Sequence, residues 1–433
     1  MTAQLLTLDA ARANNTAKAE PAPGRFSATK AGALIAVDVL RGQRLRELDL
    51  QPYWQDLVSR AETPNVFMSP ALIAAAAAVD PNLVALAAWL PAIGGPRLAG
   101  LWVFSVGRPS HSPLPIRVLR GPPIVHAYLS SPVIDRDIAE VTLGAMLDAV
   151  ADAPDLPKIV ALEALSAESA ASDPLMRVLA ARGFAVHTFA NGERPMLASG
   201  LDAKSYFEAA LSASSRKKLR QYRRRLGEKG RLETRHLTAP DAVCAALDQF
   251  LALEAQGWKG RAGTALVSNA NDVAIVRAMV AALAREGAAS VFTLELDGRP
   301  VSMQVVLRAG SIAFTWKTTY DEAFGDFSPG MLLLEDYTKG LLEDPQVGAV
   351  DSCAFDAASY MGTWMERRRV ADVWIGVGPT KQFRIATQIQ STFLRLRATA
   401  KTLNLRARKG AKFLKTRIRL NNKPGTTRES GNA

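Results

Sequence analysis

Apolar residues fall into short runs bounded by turns and into stretches spaced three and four apart, two patterns that predict strands and helices in a repeating order. The runs Leu83 to Leu90 and Leu98 to Val106 flank Gly94-Gly95-Pro96 and predict a hairpin. Ahead of them Ser69-Pro70, a cap followed by proline at the first helical position, opens a helix that Asp80-Pro81 stops. A Pro-rich loop (Pro109 to Pro123), a helix from Ala139 to Val150 and a strand from Lys158 to Leu162 follow. The same order then returns. A helix from Asp272 to Arg285 precedes strands Ser290 to Leu296 and Pro300 to Leu307, joined at Asp297-Gly298, and a third strand runs from Ile312 to Thr318. A helix opens at Ser328-Pro329 and reaches Leu342, and strand Val347 to Asp351 closes the set.

Ser69 and Asn271, Gly100 and Ser302, Lys158 and Val347 stand 202, 202 and 189 residues apart, a near-constant offset that points to internal duplication. A mixed α/β (α+β) sheet with helices on both faces is the architecture this implies. Two or three domains also suit 433 residues, more than one core usually organises. Residues 1 to 33 lack periodicity and read as a disordered leader, 34–200 and 201–380 as the two halves, and 381–433 as a tail.

Charge sharpens that division. The net charge is +12, yet 13 Lys and Arg and no acid lie between Lys381 and Lys423, leaving the rest of the chain at −1. Ile385, Ile389, Phe393, Leu396, Ala400 and Leu403 recur at helical spacing in this segment, flanked by Arg384, Arg395, Arg397, Lys401, Arg406 and Arg408. Such a helix suits an anionic membrane surface, where each Lys or Arg contributes about 1 kcal/mol, or an acidic protein; a helix packed along the body is the plainer alternative. Cys244 and Cys353 are far apart in apolar surroundings, which fits reduced thiols, and no metal-ligand spacing occurs. The first residues lack a secretory pattern and the apolar run Ala71 to Val79 is too short to span a bilayer, so the expectation is a cytoplasmic protein, peripheral at most to the inner membrane face.

Between the halves, Ser205, Tyr206, Phe207, Ala210, Leu211, Leu219, Tyr222 and Leu226 fall at helical spacing. The opposite face carries Arg216, Lys217, Lys218, Arg220, Arg223, Arg224 and Arg225. Three further stretches stand out: Leu253 to Gly260 (LEAQGWKG), Phe314 to Asp321 (FTWKTTYD) and Phe327 to Leu333 (FSPGMLL). Together with Ser212 to Gly230, these resemble the motifs of the GNAT superfamily, in particular the FemAB-like group that includes CelD-type cellulose-biosynthesis proteins. The resemblance spans about residues 35 to 385 and implies tandem GNAT-like domains. It implies an N-acyltransferase that uses acyl-CoA as donor and an amine, small or glycan-linked, as acceptor, in envelope or exopolysaccharide metabolism. Aminoacyl transfer from charged tRNA is the second enzyme reading, with the basic helix on the phosphates. A non-catalytic scaffold recruited through the tail is the third.

Acyl transfer to an amine needs a donor to the developing oxyanion and a base for the amine proton. The resemblance places the splayed strand of the GNAT site at Pro300 to Leu307. Glu254 is the candidate base or positioning carboxylate, sharing a helix end with Trp258 and Lys259, although pairing to Lys259 or Arg261 would account for it equally. Tyr320 is placed to protonate the leaving thiolate, and Asp321 joins it in the candidate catalytic set. Lys317 and Asp351, at strand ends, are candidates for binding substrate with Trp258 and Lys259. The helix start Ser328, Pro329, Gly330 and Met331 offers unpaired N–H groups to a pyrophosphate, with Arg216 and Arg220 as supporting cations. The superfamily's usual pyrophosphate loop, Gln or Arg, two residues, Gly, one residue, Gly or Ala, is absent from this sequence.

Overall fold

The computed structural model describes residues 26–28, 34–167, 172–354 and 360–421. The expected leader, apart from Phe26–Ala28, lies outside them. The first half runs β1 (Phe26–Ala28), β2 (Leu34–Arg41), α1 (Gln43–Glu47), α2 (Gln51–Arg60), α3 (Pro70–Ala77), β3 (Leu83–Leu90) and β4 (Arg97–Gly107). It continues with β5 (Val118–Gly121), β6 (Val133–Ile134), α4 (Ala139–Asp152), β7 (Ile159–Ser166), α5 (Ser172–Arg182) and β8 (Ala185–Leu197). The second half opens with α6 (Ala203–Ala210) and α7 (Ala213–Gly227), then β9 (Leu232–Leu237), α8 (Pro240–Gln256), α9 (Trp258–Arg261) and α10 (Ala270–Arg285). It ends with β10 (Ala289–Leu296), β11 (Arg299–Ala309), β12 (Ile312–Tyr320), α11 (Pro329–Glu343), β13 (Ala349–Asp351), β14 (Glu366–Gly376) and α12 (Thr380–Asn421).

All the strands join one mixed sheet in the order β1-β2-β3-β4-β5-β7-β14-β8-β13-β12-β11-β10-β9, with β6 beside β4. The order reads alike from both ends. Three antiparallel ladders, β2 to β5 and β9 to β12, are followed in each half by one parallel pair, β5 with β7 and β12 with β13. At the centre the halves trade strands: β8, from the first half, pairs with β13, and β14, from the second, pairs with β7. The long β8–β14 ladder seals the exchange. This symmetry supports the duplication read from the sequence.

Local chemistry explains most elements. Ser69 accepts from the Leu72 N–H and Pro70 opens α3, as expected of Ser-Pro. Asp297 and Gly298, both at positive φ, make the tight turn between β10 and β11. Between the halves, Leu211 and Ser212 break the expected single helix into α6 and α7, because the Ser212 side chain caps a new start at Ser215 N. The core crosses the middle of the molecule, where Phe67 packs edge-on against Phe314 with ring centroids 5.3 Å apart. No single helix among the described residues is long and apolar enough to cross a membrane.

α12 packs on β8 and β14 through Phe383, Ala386, Thr387 and Gln390, all buried. Its apolar stripe faces the other way: Ile385, Ile389 and Leu396 are 50, 43 and 66 % exposed. The body-facing residues are thus a different, more polar set than the periodicity of the larger apolar residues suggests.

Candidate active site

β12 and β13 pair only from Ile312 to Phe314 on β12; beyond that point they diverge. β11 is hydrogen-bonded to β10 on one side and to β12 on the other. The splayed strand is therefore β12, not the Pro300 to Leu307 strand expected from the resemblance, which has no open edge. A register shift between Val305 and Leu307, opposite Thr315 and Trp316, marks the bend. Since Asp321 N–H donates to Val301 O, alternation along the ladder turns the N–H groups of Thr318 and Tyr320 away from β11 and into the gap.

Two cavities meet at that gap. A wide one, about 970 Å³, lies between the halves and is lined by His126 and Tyr128 from the first and by Trp316, Lys317 and Cys353 from the second. A narrower one, about 330 Å³, runs from the gap past Tyr320 to Ser328, Pro329, Gly330 and Met331. Glu254, Trp258, Lys259, Thr318 and Tyr360 line both.

Glu254, 3 % exposed, is held at both oxygens: Oε1 accepts from Lys259 Nζ at 2.8 Å and Oε2 from the Leu266 N–H at 2.8 Å. Lys259 Nζ also donates to Thr318 O at 3.1 Å, tying the carboxylate to the splayed strand. With both oxygens engaged, Glu254 is suited to hold Lys259 in place rather than to take a proton. The helix end expected to unite Glu254, Trp258 and Lys259 is broken at Gly257, and α9 begins anew at Trp258. Trp258, 55 % exposed, stands at the rim.

Sequence reasoning missed the cluster in the wide cavity, because two of its members lie about 190 residues from the third. Lys317 Nζ donates to Tyr128 Oη at 2.6 Å and lies 3.1 Å from His126 Nδ1. Burial, aided by the charge of Lys259, lowers the Lys317 ammonium to about 8. Burial and the Lys317 charge also lower His126, so its ring is neutral at pH 7. With Nδ1 accepting from Lys317, the ring proton belongs on Nε2, which lies 3.2 Å from Asp272 Oδ2. Burial pushes the Tyr128 hydroxyl and the Cys353 thiol up, so both stay protonated. The only sequence signal was scarcity: His126 is one of four histidines and sits just past the Pro-rich loop.

Several expected residues lie elsewhere. Asp321 caps the turn Glu322–Phe327 by accepting from Ala323 N–H and lines neither cavity. Asp351 is fully buried and accepts from Arg194, Arg368 and the Cys353 N–H; burial alone would raise its carboxyl, but the two guanidiniums hold it below the usual range. It therefore clamps β13 to β8 and β14 instead of meeting substrate. Arg216 closes the end of α6 by donating to Glu208 O and Leu211 O, and with Arg220 it lines a separate surface hollow beside Asp336 and Lys339. Neither joins the helix start. The cations near it are Arg225 and Lys229, 5.5 and 5.4 Å from the centroid of the Phe327 ring. Ser328 itself makes no side-chain cap: at φ 48°, ψ 56° it occupies the left-handed region, a conformation that costs a non-glycine residue about 1 kcal/mol and clusters at functional sites. Its carbonyl accepts from the Met331 and Leu332 N–H groups.

Residues 213–354 match the family model described as Acetyltransferase (GNAT) domain. No curated protein matches the chain by sequence. Among solved structures, FemX is similar at TM-score 0.53 and 11 % identity, over 78 % of this chain and 98 % of that one. The C-terminal domain of a putative lysylphosphatidylglycerol synthetase from Agrobacterium fabrum gives 0.46 and 12 %, over 78 % and 96 %. A tandem GNAT protein from the clavulanic acid biosynthesis pathway gives 0.38 and 15 %, over 79 % and 99 %. At such identity the first likeness speaks for fold alone, and nothing is argued from the other two. The second half of this chain thus holds the region, residues 213–354, that matches a GNAT acetyltransferase domain, set within a mixed α/β fold.

Proposed function

We propose that the protein transfers an acyl group from a phosphorylated thioester donor, acyl-CoA, to an amine. The observation that carries this reading is the meeting of a narrow and a wide cavity at the open edge of β12. The donor's phosphates lie at the start of α11 on the Gly330 N–H, since Pro329 has none and those of Met331 and Leu332 already donate to Ser328 O, with Arg225 and Lys229 nearby, and its thioester reaches the gap. Thr318 and Tyr320 N–H groups donate to the carbonyl oxygen as charge grows there. The amine enters from the wide cavity. Lys317, in its neutral form, takes the amine proton as the C–N bond forms. The C–S bond then breaks, the carbonyl reforms, and Tyr320, which lines the narrow cavity, protonates the departing thiolate. Support for an acceptor in envelope polysaccharide metabolism comes from the motif resemblance alone.

Aminoacyl transfer from tRNA would use the basic face of α7 for RNA. Three of its seven cations are already engaged: Arg216 with carbonyls, Arg223 with Glu335 and Asp336, and Arg224 with Glu228. Free-thiol release from a panel of acyl-CoA donors, each mixed with amine acceptors, separates the readings. Acceptor-dependent thiol supports acyl-CoA chemistry. Absence of thiol throughout, with amide formed from a charged tRNA, would overturn it.

A further inference from the structure

The outward face of α12, as far as residue 400, is exposed among the described residues. Ile385, Ile389 and Leu396 point away from the sheet while Phe383, Ala386 and Gln390 hold the helix to it. The apolar spacing continues in the sequence through Ala400, Leu403, Ala407, Ala411, Leu414 and Ile418, a mean step of about 3.7 residues from Ile385 onward, near the α-helical 3.6. Arg384, Arg395, Arg406 and Arg417 recur every 11 residues beside the stripe. Over 42 residues the helix is about 63 Å long.

We infer that this face lies on an anionic lipid surface, parallel to the bilayer plane. The step of about 3.7 residues departs from the 3.5 that the seam of a two-stranded left-handed coil needs, while it keeps the stripe on one side of the helix over several turns. Pairing with a second copy would also set Arg and Lys against Arg and Lys, with no acid between residues 380 and 423 to relieve them. Nucleic acid would satisfy the charge and leave the exposed isoleucines and leucine in water. Lipid satisfies both: acyl chains take the stripe and anionic headgroups the flanking cations.

The test is sedimentation of the full chain with vesicles of phosphatidylcholine, with and without phosphatidylglycerol. The parent protein sediments with the anionic vesicles at low salt and is released at high salt. The triple variant Ile385→Glu, Ile389→Glu, Leu396→Glu loses at least tenfold in partitioning at an unchanged melting temperature, since all three side chains are exposed. Replacing Arg384, Arg395 and Arg397 by Gln weakens binding to anionic vesicles and leaves the weak binding to neutral ones as it was. Equal partitioning of parent and stripe variant overturns the inference. So does a parent that ignores anionic vesicles while binding duplex RNA or an acidic protein, or that dimerises through the stripe. Because sedimentation needs no turnover, these outcomes are independent of the proposed reaction.

Discussion

Lys317→Met separates a catalytic lysine from a structural one by moving stability and activity in opposite directions. The folded protein holds the Lys317 proton at about 8 against 10.5 for the free side chain. A difference of roughly 2.5 units is worth about 3 kcal/mol. The unfolded chain binds the proton more tightly, so the whole penalty is present below pH 8 and is relieved as pH rises from 8 to 10.5. Methionine, of similar length and without charge, removes the penalty but forfeits the contacts to His126 Nδ1 and Tyr128 Oη, worth about 1 kcal/mol each. The variant is therefore about 1 kcal/mol more stable than the parent in urea at pH 7 and less stable at pH 10. Its turnover falls by about 10²- to 10⁴-fold, and the rise in kcat/KM near pH 8 expected of the parent disappears. A variant that is less stable at both pH values, or that keeps turnover and the pH 8 limb, refutes the assignment of Lys317 as base.

Asp351→Asn leaves Arg194 and Arg368 buried without a counter-charge and should cost about 3–5 kcal/mol, read as a fall in the urea midpoint. Gly330→Asp is open to a side chain, since an added Cβ meets nothing within 4 Å, and a carboxylate near the start of α11 suits the helix. It should leave the melting temperature level or slightly raised while weakening acyl-CoA binding about tenfold by calorimetry; unchanged affinity would move the phosphates elsewhere. Tyr320→Phe removes only a hydroxyl from a side chain 39 % exposed, so turnover should drop about tenfold or more with stability unmoved.

Local signals carried the sequence reading far in the repeated halves. Ser69-Pro70 and Asp297-Gly298 encode a cap and a tight turn within a few residues, and the structure places both as their chemistry requires. What stayed hidden depends on contacts between distant segments. Nothing near His126 or Tyr128 announces that Lys317 will meet them, because only the sheet brings the first half's loop against β12. Asp351 looked like a strand-end carboxylate awaiting substrate; its arginines arrive from β8 and β14. Ser328-Pro329 carried the right signal for a helix start and the wrong one for its cap, since backbone conformation at Ser328, not its hydroxyl, sets the geometry.

The exchanged strands also impose a schedule on synthesis. β8 leaves the ribosome about 150–180 residues before the ends of β13 and β14, the strands it pairs with. At about 5–20 residues per second the nascent first half waits on the order of ten to thirty seconds with three edges awaiting partners, one of β7 and both of β8. Unpaired edges invite pairing with other chains. Slow codons after residue 200 would lengthen that exposure, and a holdase that covers strand edges would shorten its consequences, so yield in the cell should depend on translation speed through the second half more than on the stability of the finished protein.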